Sequence, residues 1–162
     1  LPLRCLPDSV GEFELAVRQR DHDARSLAAA GRRTAAIYLW GYAAEMVLKA
    51  AYYRRIGHLP GQPITATDLR LARTAAVGLG ITWPGNLHHL ANWAQLLVLT
   101  RATIPGWAYP QPGFGNDVVA QVRRLHRHWV ETLRYHKNVA YPHEVEQAQA
   151  GTDWLLLHYP QL

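Results

Sequence analysis

Nine histidines and seventeen lysines and arginines in a chain of 162 residues supply groups suited to metal-independent chemistry on a phosphodiester. An imidazole takes up a proton near neutral pH, and a guanidinium holds charge that develops on phosphate oxygens. Arg123, His128, Arg134 and His136 are the candidates that fall close together. Spacing limits the idea, because residues 123 and 128 on a regular helix point about 140° apart. Arg124 and His128, four apart, share a face.

A second group lies in the run Ala35 to Tyr53, AAIYLWGYAAEMVLKAAYY, which is apolar apart from its tyrosines and the charges of Glu45 and Lys49. Those two charges are four apart in the favourable acid-before-base order. Tyr38, Tyr42 and Tyr52 project near the same face. The seam is either a half-buried ion pair satisfied by tyrosine hydroxyls or a polar pocket at a subunit or ligand interface. Glu45, Lys49, His88, Arg134 and Tyr135 make up this candidate polar centre, with Glu45 expected to face Arg134 or Tyr135.

No metal or cofactor is expected. Adjacent His88 and His89 diverge by about 100° on a helix and need a third ligand. Cys5 is the single cysteine, which leaves no zinc-finger spacing and no internal disulfide, so a reducing, cytoplasmic setting is expected. Gly78 and Gly80 terminate a helix; no Gly-Lys-Ser/Thr follows to make a phosphate loop.

Charge is uneven along the chain. Residues 116–137 hold five lysines and arginines against two acids, whereas 138–162 hold none against three. Arg123, Arg127 and Arg134 project within about 40° of one another on a continuous helix, forming a basic stripe. Such a stripe follows a phosphate backbone, or it meets Glu144 and Glu146 of the acidic segment.

The elements that position these residues read as helices throughout. Ser9 and Glu12 form a capping-box pattern opening a helix from Val10 to Ala30. The central helix spans about 32–56, ending at Gly57. Thr67 is the expected cap of a third helix to Leu79, and Asn86, in the turn Pro84-Gly85-Asn86, that of a fourth from Leu87 to Arg101. The connection 103–116 is long and carries Trp107, Tyr109 and Phe114, which either stack on bases or close the end of the bundle. The fifth helix is expected from Asp117 to His136, and Tyr141-Pro142 opens the last. Glu45 and Lys49 would lie near the bilayer centre if the central run crossed a membrane, so a buried helix is expected instead. The N-terminal LPLRCLPDSV has no leader pattern. The expected architecture is all-α: an up-and-down bundle of five or six helices around the central one, as a single domain over 9–160 with residues 1–8 as an extension.

Ala43-Ala44-Glu45 followed by Leu48-Lys49-Ala50, then Leu87-His88-His89-Leu90, then Trp129 with Arg134-Tyr135, resembles the HEPN domain superfamily in order and spacing. The resemblance spans roughly residues 10–160. It implies a helical bundle that often forms homodimers and works in RNA or nucleotide chemistry, including toxin ribonucleases paired with nucleotidyltransferase antitoxins. Catalytic members carry an arginine, four to six intervening residues and then a histidine, usually with a polar residue directly after the arginine. Arg123 and His128 meet the bare spacing only, and eight residues separate Arg134 from His143. The expectation is therefore a non-catalytic, dimeric module binding RNA, a nucleotide or a protein partner; the alternative the resemblance implies is an Arg/His endoribonuclease in which His128 or His136 is the general base on a ribose 2′-OH and an arginine stabilises the phosphorane.

Overall fold

The computed structural model describes residues 8–83, 85–109 and 111–162. They form an all-α bundle: α1 (Val10–Ala29), α2 (Arg33–Arg55), α3 (Ala66–Gly78), α4 (Leu90–Thr103), α5 (Phe114–His126) and α6 (Pro142–His158), with 3₁₀ turns at Glu131–Tyr135 and Tyr159–Gln161. Residues 1–7, Pro84 and Pro110 lie outside the description. So do the extension before Asp8 and the proline of the expected turn before α4.

Helix α2 is the centre. Fifteen of its 23 residues are buried, so nearly its whole circumference is covered. Helices α1, α4 and α6 pack along it, and the turn after α5 meets its first half. Alternating small and large residues permit the close approach. Gly41 lies against the indole of Trp129, where a Cβ would come within 2.0 Å of ring atoms. The Trp129 ring nitrogen donates to the Tyr38 carbonyl at 3.1 Å. No helix among the described residues is long and apolar enough to cross a membrane.

Several ends differ from expectation. The Ser9 hydroxyl does cap α1, accepting from the Glu12 amide at 3.1 Å. Helix α3 is capped by Thr65 in place of Thr67, because Thr65 and Asp68 close a reciprocal box: the Asp68 carboxylate accepts from the Thr65 amide at 2.7 Å. Helix α4 begins at Leu90, capped by the His89 ring, rather than at Leu87. Asn86 instead accepts from the His88 amide at 3.1 Å, which folds 86–88 into a turn.

The largest correction concerns α5. Its apolar spacing of Val118, Val122, Leu125 and Trp129 continues past its true end at His126. Beyond that point Val130 is extended and a 3₁₀ turn follows. Four-residue apolar spacing cannot distinguish a continuing helix from a chain that drops one large ring into a neighbour's groove, and here Trp129 fills the notch at Gly41.

The connection into α6 is fastened to the start of α2. No side chain of α2's own cap bonds its amides. Asn138 does so, accepting from the Thr34 amide at 3.1 Å while donating to the Gly31 carbonyl at 2.9 Å. The Thr34 hydroxyl in turn accepts from the amides of Val139 and Ala140 at 2.9 and 3.0 Å.

Candidate functional site

Two clusters gather the polar residues singled out above. The first is buried. Glu45 is 3% exposed and Lys49 8%, an arrangement tolerable only with each charge matched. One helical turn brings the Lys49 ammonium onto the Glu45 carboxylate. The turn before α4 delivers His88, whose Nδ1 is 3.0 Å from both carboxylate oxygens. The hydrogen bond to Glu45 is the main influence raising the His88 pKa; burial and Lys49 oppose it, and Glu131 assists. The outer nitrogen of His88 is 3.6 Å from Glu131, which also accepts from the Asn86 side chain at 2.8 Å. Lys49 completes the inner side over the Trp93 ring, 5.4 Å from its centroid. Each charge here has a partner.

Arg134 and Tyr135 do not join this cluster. The expected contact of Glu45 with either is replaced by Lys49 and His88; the chain leaves helical geometry after His126, and the 3₁₀ turn sets Arg134 beside the Tyr38 side chain of α2 instead. The basic stripe is divided for the same reason. Arg123 lines a groove between α4 and α5. Arg127 lines one between α5 and α6 with Arg124, Glu146 and Gln147. Arg134 belongs to neither.

The second cluster is the surface made by residues 127–143. Arg134 stacks over the Tyr135 ring at 4.7 Å. Tyr141 lies parallel to His143, with centroids 5.9 Å apart and an interplanar angle of 14°. Tyr135 is 74% exposed and Tyr141 66%, so both rings present a face to solvent. Beside Tyr141 opens a cleft of about 370 Å³, lined by Ile37, Leu133, Val139 and Ala140 together with Thr34, His128 and Glu144. Arg134 and Lys137 make no ion pair among the described residues, and neither Glu131 nor Glu144 is available to them; Arg127 instead shares the α5–α6 groove with Glu146. Glu131 serves Asn86 and His88. Glu144 accepts from the Tyr141 amide at 2.7 Å, the main cause of its lowered pKa, and faces His128.

Arg123 and His128 are kept apart. His128 places Nδ1 3.3 Å from Glu144 and Nε2 2.8 Å from Gln147, so both ring nitrogens are engaged by α6. Arg123 faces the other side of α5, and His136 is exposed at the end of the 3₁₀ turn. No group of three or more His, Cys, Asp or Glu side chains among the described residues is arranged to hold a metal ion. Of the loop aromatics, Phe114 is buried against Trp154, and Tyr109 packs between Phe114 and Arg101. These two rings close the bundle end and are withheld from any base.

The residues that sequence reasoning missed are Thr34, Asn138, Tyr141 and His143. Only Asn138 carried a signal, as a short amide side chain between two elements. No family model matches this chain, and no match to it was found among curated proteins or solved structures. The chemistry of these two clusters is therefore what bears on function.

Proposed function

We propose that this chain is a non-catalytic HEPN-like binding module that takes single-stranded RNA across the surface of residues 127–143. The observation that carries the reading is the pairing of exposed aromatic faces with cations that no carboxylate claims. Tyr135 under Arg134 and Tyr141 on His143 are stacking platforms, and Arg134 and Lys137 supply the positive field. Stacking plus a cationic track is what a flexible, anionic, base-bearing strand requires. The cleft beside Tyr141 lies within the size range of small-ligand pockets, which start at roughly 300 Å³, and suits a base turned out of the strand.

The non-catalytic part of the reading rests on His128. A general base needs a ring nitrogen directed at the substrate, and both of its nitrogens are held by α6. One observation favours the ribonuclease alternative: Glu144 orients His128 in the lining of the cleft.

Anisotropy of a labelled single-stranded RNA, titrated over a salt series, tests both. Affinity is expected to fall steeply with salt. Tyr135→Ala or Tyr141→Ala is expected to weaken binding by about 1–3 kcal/mol per stacked base. The RNA is expected to be recovered intact. Salt-indifferent binding, or binding equal in both variants, defeats the RNA reading. Cleavage lost on His128→Ala would install the enzyme in its place.

A further inference from the structure

Away from that surface, the 3₁₀ turn Tyr159–Gln161 directs Leu162 back into the bundle, where its side chain is buried in the core. Its carbonyl oxygen meets two guanidinium groups from different helices. Nε of Arg55, the last residue of α2, donates to it at 2.8 Å, and Nη1 of Arg101, in the last turn of α4, at 2.6 Å. Arg101 also donates to the carbonyls of Gln161 and Trp107, and it lies over the Tyr109 ring, 3.9 Å from the centroid.

We propose that Arg55, Arg101 and Tyr109 form a carboxylate-binding site, filled by the α-carboxylate of a leucine that is C-terminal at position 162. Charge carries the assignment. Arg101 is 5% exposed, and a cation so buried requires an anion. All twelve acidic side chains are among the described residues, and none of them pairs with Arg55 or Arg101. The carbonyls and the ends of α2 and α4 offer partial charge only. Tyr109 does not supply the anion either: burial raises its pKa against the pull of Arg101 and Arg55, which keeps the phenol protonated. Its hydroxyl is buried without a hydrogen-bond partner, so one donor is left over for one more acceptor oxygen. A carboxylate brings that oxygen, and a full negative charge, to the point where both guanidinium groups already meet. The core around Leu162 holds the apolar side chain that comes with it.

Urea unfolding of the chain with a free α-carboxylate at Leu162, beside the same chain ended as the α-carboxamide, tests the site. The amide keeps the shape and one carbonyl oxygen but not the charge. It is expected to raise the unfolding equilibrium constant by about tenfold to a hundredfold, the strength of hydrogen bonds to a charged partner. Exchange of the Leu162 amide proton, bonded to the Tyr159 carbonyl at 3.2 Å, is expected to quicken with it. Arg55→Gln, made in both forms, completes a cycle in which the acid-to-amide ratio should shrink by about threefold or more. Acid and amide forms of equal stability would overturn the proposal, and so would a ratio that survives Arg55→Gln unchanged.

Discussion

The cluster at Glu45 and the surface at residues 127–143 are built from the same residue types, yet their charges are placed in opposite circumstances. At Glu45, Lys49 and His88 every charge is partnered, and the carboxylate and the ammonium are almost fully buried. At Arg134 and Lys137 the cations face solvent, and the nearby Glu131 and Glu144 are occupied elsewhere. Partnered, buried charge fixes geometry and has no capacity left for a ligand; unpartnered charge beside open aromatic faces has that capacity and contributes little to the fold. Residue type alone does not separate these roles.

Substitution should separate the two regions by the size of the stability change. The largest effect is expected at Glu45. Glu45→Ala strands the buried Lys49 ammonium and should cost about 3–5 kcal/mol in urea unfolding. The double change Glu45→Leu with Lys49→Met should recover most of that loss, because two matched apolar groups replace a pair. Equal losses in the single and double variants would show that the pairing is incidental.

Next comes the notch that holds the 127–143 segment on α2. Gly41→Ala puts a methyl group into the Trp129 ring and should destabilise by about 1–3 kcal/mol through overpacking, with a blue shift or broadening of tryptophan emission. A neutral result would mean that Trp129 is free to move, and that the surface it anchors is less fixed than its bonds suggest.

A smaller, pH-dependent effect is expected from His88. Its pKa is raised by the Glu45 hydrogen bond against burial and Lys49, with Glu131 on its outer side. The folded state therefore holds the proton more tightly than the unfolded chain. That contribution is fully present below the unfolded value of about 6.5 and is lost as pH rises through the higher folded value. Urea midpoints should decline over that window, and His88→Gln should flatten the decline. The smallest stability effect is expected at Tyr135, where replacement by alanine should stay within about 0.5 kcal/mol while reducing RNA affinity.

The fold was far more legible than the site. An apolar run as long as Ala35–Tyr53 has to be surrounded, and Ser9 with Glu12 marks a helix start in the local chain, so the bundle and its centre follow from short-range pattern. The overrun at α5 shows where pattern fails: Trp129 keeps helical spacing although the backbone has left the helix. Glu45 with Lys49 was readable because both lie on one helix. His88 was expected in the same polar centre and reaches Glu45 through the turn that Asn86 makes at residues 86–88, whereas the bonds among Thr34, Asn138 and Ala140 join segments more than a hundred residues apart with no periodicity to announce them.

That long-range fastening has a kinetic consequence. The amide of Thr34 near the start of the central helix finds its partner on Asn138, and the notch at Gly41 is filled by Trp129. A chain emerging in order from its N-terminus would make the α1–α2 hairpin early and leave one face of α2 bare until nearly all the remaining residues had followed. Closing so long a loop is slow relative to local helix formation. The 127–143 surface should accordingly be the last part to assemble and the first to lose amide protection.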